Sequence, residues 1–128
     1  MANKGLTYNV VRELGLELPR AEEDLYYRMP ALKVDGEIFV VQTGHRSAEP
    51  DSISLPIGFE RRTQLIASDP DVFYVKPHYE AYPVVLVRLD RIERETLRRL
   101  LRSAYRAVSS GAVKAARPAT APPAMTRW

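Results

Sequence analysis

The run Pro83-Val84-Val85-Leu86-Val87-Arg88-Leu89, leading into an arginine-studded segment from Asp90 to Val108, constrains this chain more than any other stretch. The first half is a short apolar run rich in β-branched residues, the signature of a buried strand. In the second half, each residue advances about 100° around a helix axis. Leu97, Leu100, Leu101, Ala104 and Val108 therefore fall on one arc. Arg91, Arg94, Arg98, Arg102 and Arg106 fall on the facing arc, with Arg99 nearby. A strand feeding such a helix is a core-forming unit with a cationic outer side.

The charge distribution sharpens that reading. Residues 91–128 hold nine Lys/Arg against two Glu, a net +7, whereas residues 1–90 hold ten Lys/Arg against fourteen Asp/Glu, a net −4. An asymmetry of this kind points to an acidic partner, and equally describes a solvated helix face with none. The absence of cysteine excludes disulfides, thiolate catalysis and cysteine-ligated zinc. No apolar run approaches the length needed to cross a bilayer, and the first residues carry no apolar signal-peptide core. The expectation is a cytoplasmic protein away from the membrane, a monomer or weak dimer.

Along the chain, Leu6, Val10, Val11 and Leu14 predict a first helix from Thr7 to Gly15, with Thr7 as N-cap and Gly15 as a left-handed terminator. Leu25 to Met29 is read as a strand that Pro30 interrupts. Asp35-Gly36, between Leu32-Lys33-Val34 and the run from Glu37 to Gln42, predicts a two-residue hairpin turn. The polar stretch from Thr43 to Asp51 is a loop, and Ser52 to Ile57 alternates like a strand with one buried face. A second helix runs from Phe59 to near Ser68, a strand occupies Val72 to Val75, and Lys76 to Tyr82 connects to the strand that opened this description. Asp90 with Glu93 predicts a capping box that starts the last helix between 90 and 94. The expected order is α-β-β-β-α-β-β-α. It forms a single α+β domain over residues 1–110, with an antiparallel sheet and its helices on one side. Residues 111–128, rich in Ala, Pro and Arg, are expected to be a disordered tail.

Three stretches in this order resemble the MmcQ/YjbR family. They are Leu18-Pro19 with Glu22-Glu23 and Pro30 to Phe39; Ser68 to Val75; and Tyr82 to Asp90 with Leu97 to Leu101 and Ala104-Tyr105. The resemblance implies a frataxin-like or secretion-chaperone-like α+β sheet in a bacterial, cytoplasmic protein. It also implies a proposed double-wing mode of DNA binding. Met29 and Val84 stand where members of that family often carry Gly and Trp.

Catalytic chemistry finds no footing in the sequence. His45 and His78 lie in different loops, without a metal-ligand spacing, a nucleophile elbow or a phosphate-binding glycine loop. The expectation is a protein with no enzymatic activity, no metal and no cofactor. Two candidate binding sites remain. Arg91, Arg94, Arg98, Arg102 and Arg106 would grip DNA phosphates through guanidinium forks, with Lys114 and Arg117 of the tail adding to them. The loop Lys76-Pro77-His78-Tyr79-Glu80-Ala81-Tyr82 mixes a cation, an imidazole and tyrosines that would hold a small ligand. Lys76, His78 and Tyr82 would supply that site, with Arg28 and Lys33 as cationic contributors; alternatively those tyrosines cover a sheet end. A protein-interaction module that uses an exposed sheet edge or face, as secretion chaperones do, is a further reading.

Overall fold

The computed structural model describes residues 5–43, 48–49 and 51–112. His45, Lys114, Arg117 and Trp128, and all of the expected tail beyond Ala112, lie outside the described residues. Helix α1 covers Tyr8–Gly15, and strands β1 (Ala21–Tyr26), β2 (Met29–Val34), β3 (Glu37–Gln42) and β4 (Ser52–Pro56) follow. Then come α2 (Phe59–Ser68), β5 (Phe73–Tyr74), a 3-10 turn at Pro77–Tyr79, β6 (Val84–Arg88), a second 3-10 turn at Leu89–Arg91 and α3 (Arg94–Ser109). The six strands form one antiparallel sheet in the order β1-β2-β3-β4-β6-β5.

The helices share one side of this sheet. Val11 and Leu14 of α1, Leu65 of α2 and all five apolar residues read on the inner arc of α3 join Leu32, Phe39, Ile53, Leu55, Val85 and Val87 in one buried cluster. The strands pack with period two. The alternate residues Ala31, Ile38, Val41, Val84 and Leu86 therefore face the opposite side, where Tyr26, Tyr74, Tyr79 and Ala48 bury a second cluster. A register shift between Leu32 and Lys33 lets both Phe39 and Val40 join the helix-side core.

The α+β class and the one-sided helices follow the sequence expectation, but the strand count before α2 is four rather than three. The stretch read as one interrupted strand is a hairpin, in which Tyr26 pairs with Met29 across a turn made by Tyr27 (φ 50°) and Arg28 (φ 72°). Neither residue is one that favours left-handed backbone, so no turn signal marks the reversal. Pro30 lies inside β2, opposite Leu25. The Asp35-Gly36 turn forms as read, with φ of 51° and 83° and Val34 paired to Glu37.

Two local expectations are corrected. Gly15 is the last residue of α1 and is not left-handed; the C-cap is Leu16, with φ −73°. The glycine serves close approach instead, because a Cβ there would collide with the Leu32 side chain. The Asp90–Glu93 capping box does not form. Asp90 belongs to the 3-10 turn, and Glu93 is an extended N-cap without a side-chain cap hydrogen bond. Leu89 and Ile92, 1% and 2% exposed, anchor that turn in the core and delay the helix to Arg94.

Two stability measurements check this geometry. Gly15→Ala inserts a methyl group against fully buried Leu32 and is expected to lower unfolding free energy by about 1–3 kcal/mol in denaturant melts. Arg28→Gly relieves a left-handed backbone at an exposed turn and is expected to raise it by about 1 kcal/mol.

Candidate anion-binding surface

Helix α3 presents its arginines in two groups, and its neighbours decide which are engaged. Turning its apolar arc onto β3 and β4 brings one flank beside α1. There Arg94 meets Glu13 at 3.5 Å, and Arg98 pairs with Glu17 of α1 and with Glu95 of its own helix at 3.6 Å. Just before the helix, Arg91 meets Asp71 at 3.2 Å. Tyr105 finishes this seam by donating its hydroxyl to the Pro19 carbonyl at 2.7 Å, with its ring edge-on to Phe39 at 5.6 Å. Three of the five arginines read as phosphate ligands thus already face carboxylates.

The other group does not. Arg102 and Arg106, together with Arg99, are exposed and make no ion pair among the described residues. Arg61 of α2 is in the same condition, donating a 3.4 Å hydrogen bond to Gln64 and making no ion pair among the described residues. The charge of this surface is therefore concentrated on the outward arc of α3 and the neighbouring exposed side of α2. Arg61 escaped the sequence reading because nothing in its local pattern separates it from Arg62. The latter donates inward to the carbonyls of Tyr82 and Val84 at 2.9 and 3.2 Å.

The second candidate, around the connection from Lys76 to Tyr82, is built largely as sheet cover. Pro77 starts a single 3-10 turn that drives Tyr79 down to 1% exposure over Val84 and Leu86. Burial also raises the Tyr79 phenol above its ordinary pKa. His78 stacks edge-on against Tyr79 at 5.1 Å, Tyr82 packs against the same cluster, and the Lys76 ammonium lies 5.7 Å from the Tyr74 ring centre. Lys33, on the same side of the sheet, faces Asp24 at 3.5 Å and Glu22 at 4.0 Å across the β1–β2 ladder. Arg28 stands at the hairpin tip, exposed.

At the β5–β6 end sits a constellation that the sequence did not flag. Arg88 donates from Nε and Nη2 to the two Glu49 carboxylate oxygens at 2.7 and 2.6 Å, and from Nη1 to the Pro70 and Asp71 carbonyls at 3.1 and 3.0 Å. Its guanidinium also lies 4.2 Å from the Tyr74 ring centre. The Tyr74 hydroxyl accepts the Glu49 backbone N–H at 2.9 Å and shares a 2.6 Å hydrogen bond with buried Ser52. All three guanidinium nitrogens of Arg88 are engaged, through four of its five N–H groups, so this network fastens chain segments to the sheet and leaves no two-pronged fork for a ligand. Among the described residues, no cluster of three or more His, Asp or Glu is placed to hold a metal. No helix among them is long and apolar enough to cross a membrane.

The YjbR family model matches residues 16–107. Two mycobacterial proteins, uncharacterized protein Mb2600 of Mycobacterium bovis and uncharacterized protein Rv2570 of Mycobacterium tuberculosis, are each 33% identical to the chain over 82 residues. That likeness covers 63% of this chain and 63% of each relative, so the chain spans less than two thirds of the curated proteins it matches. Among solved structures, the crystal structure of Deinococcus radiodurans protein DR2400, family-model domain DUF419, superposes with a TM-score of 0.66 at 23% identity. The match covers 83% of this chain and 80% of that one, and at this identity the likeness is one of fold.

The Glu49–Arg88 contact carries a pH signature. Hydrogen bonding to Arg88, the largest cause, holds the Glu49 carboxyl below its ordinary pKa. The unfolded chain therefore takes up a proton there before the folded one does. The contact's stabilisation is present at neutral pH and is lost as pH falls from the free-carboxylate value of about 4.3 through the depressed folded value. Melting temperatures measured against pH are expected to show Glu49→Gln below wild type at neutral pH, with the two curves converging in acid.

Proposed function

The chain belongs to the YjbR family, and within that family we propose for it a non-enzymatic role in binding DNA through the outward arc of α3. The observation that carries this reading is the partition of the arginines. Arg99, Arg102 and Arg106 make no ion pair among the described residues, whereas Arg91, Arg94 and Arg98 each face a carboxylate. A guanidinium without a carboxylate keeps its donor fork available for a phosphate, and a rigid helix presents several at fixed spacing. Each phosphate neutralised releases condensed counterions, so such binding is sequence-tolerant and weakens steeply with salt. The net +7 of residues 91–128 adds a longer-range attraction for a polyanion.

Fluorescence anisotropy of labelled duplex DNA across a salt series tests this. Wild type is expected to bind at low salt with a steep log–log slope. The double variant Arg102→Ala/Arg106→Ala is expected to lose affinity and to flatten the slope by up to about 2, since each phosphate contact contributes about 0.9. Arg98→Ala, which removes a residue already held by Glu17 and Glu95, is expected to leave the slope unchanged. Absence of binding at low ionic strength, or an unaltered slope in the double variant, rejects the reading.

A protein partner has separate support at the other end of the sheet. Strand β1 pairs only with β2 among the described residues and so forms an edge of the sheet, where Leu25 is 67% exposed. The backbone N–H groups of Leu25 and Ala21 are held only locally, by the Asp24 carboxylate at 2.7 Å and the Leu18 carbonyl at 3.2 Å. An extended peptide adds to such an edge through main-chain hydrogen bonds. A complex formed there is expected to survive salt that abolishes the DNA interaction, which co-purification at high ionic strength would register.

A further inference from the structure

Between α2 and α3, on the helix side of the sheet, a cleft of about 430 Å³ opens to solvent. Leu65, Phe73 and Leu100 form its floor, and Arg61 and Arg99 stand on its two walls. A second hollow of about 300 Å³ continues from it, sharing Asp69, Phe73 and Thr96 and reaching Glu93 and Arg91. Together they form a groove within the size range of small-molecule pockets, which runs from about 300 to 1,000 Å³.

The chemistry of the groove changes along its length. At one end lie two guanidiniums with no carboxylate partner among the described residues. Along α3, Thr96, Arg99 and Ser103 recur at three- and four-residue steps, which puts them on one face of the helix. Thr96 and Ser103 are half-buried, and no hydrogen bond engages either hydroxyl among the described residues. Towards the other end stand Asp69 and Glu93, whose carboxylates likewise make no ion pair among the described residues. Opposite charges without ion-pair partners among the described residues, with the Thr96 hydroxyl between them and the Ser103 hydroxyl one turn beyond Arg99, suit a ligand that is anionic at one end and rich in hydrogen-bond donors at the other. The apolar floor is almost wholly buried, Leu65, Phe73 and Leu100 being 7%, 4% and 4% exposed, so it offers little surface to a greasy ligand.

We propose that the α2–α3 groove is a binding site for a small sugar phosphate, with the phosphate held between Arg61 and Arg99 and the sugar hydroxyls donating to Asp69 and Glu93. The phosphate gains charge-assisted hydrogen bonds from two forks that approach from different helices. The hydroxyls of Thr96 and Ser103 serve either as donors to phosphate oxygens or as acceptors for the sugar. Carboxylates beside the phosphate position would repel inorganic phosphate, and they become favourable only when a ligand brings donors to them. The site therefore selects the ester over its fragments. This inference shares Arg99 with the DNA reading but stands or falls separately, because the variant that tests DNA binding alters Arg102 and Arg106, residues that do not line the groove.

Titration calorimetry and thermal melts of the full chain with ribose 5-phosphate, with ribose and with inorganic phosphate provide the test. Ribose 5-phosphate is expected to bind and to raise the melting temperature, more tightly than inorganic phosphate, while ribose gives no shift. Arg61→Ala/Arg99→Ala is expected to weaken ribose 5-phosphate at least tenfold. Asp69→Asn/Glu93→Gln is expected to weaken the ester and to leave inorganic phosphate unchanged or tighter. All four side chains are exposed, so these variants are expected to keep the wild-type fold, checked by circular dichroism. Arg102→Ala/Arg106→Ala is expected to bind ribose 5-phosphate as wild type does, whatever it does to DNA. The proposal is overturned if ribose 5-phosphate fails to bind at millimolar concentration, if it binds no tighter than inorganic phosphate, or if Arg61→Ala/Arg99→Ala binds it as wild type does.

Discussion

The seating of α3 on the sheet is the contact on which the rest depends. Leu97, Leu101 and Ala104, each no more than 1% exposed, lock the helix over β3 and β4, and that fixes its rotation about its own axis. Once the rotation is fixed, the fate of every arginine on the helix is settled. Those turned towards α1 meet Glu13 and Glu17, and those turned outward or towards α2 meet solvent. Burial of five apolar side chains is worth several kcal/mol, while an exposed ion pair contributes at most about 1. The leucines therefore choose the orientation, and the ion pairs are its consequence.

The two sides of the sheet divide the work of the molecule. The helix side carries the main core and, above it, the arginines that make no ion pair among the described residues. The opposite side is closed by loops rather than helices, and loops need fasteners. Tyr79 supplies one by burying a ring, and the Arg88–Glu49 fork supplies another by tying residue 49 and the carbonyls of Pro70 and Asp71 to β6. The tyrosines and cations that look like a ligand cradle in the sequence are, for the most part, the parts of this closure.

What could be read from the sequence follows the range of the interactions involved. The inner face of α3 and the Asp35-Gly36 turn are encoded within a few residues, and both were legible. The Tyr27-Arg28 turn is just as local but lacks turn chemistry. Its conformation is imposed by the pairing of β1 with β2, which no short window reveals. The partners of Arg98 were invisible for a different reason, since Glu17 lies 81 residues away and becomes adjacent only when α1 and α3 pack. The same holds for Arg61 and Arg99, which share a groove only because two helices separated by β5 and β6 lie on one side of the sheet. Charge periodicity places a residue on a helix and leaves open what stands opposite it.

The loop before β1 contains a fastening with a wider effect. Arg20 and Asp35, both left-handed at φ of 63° and 51°, are joined by two hydrogen bonds of 2.9 Å. They flank the first ladder pair, Ala21 with Val34, while the tight turn at Tyr27 and Arg28 closes the other end. The outermost strand is therefore clasped at both extremities and has no loose tip from which to peel. A segment docking along it would meet a rigid template, already ordered, and would bear only its own loss of conformational freedom.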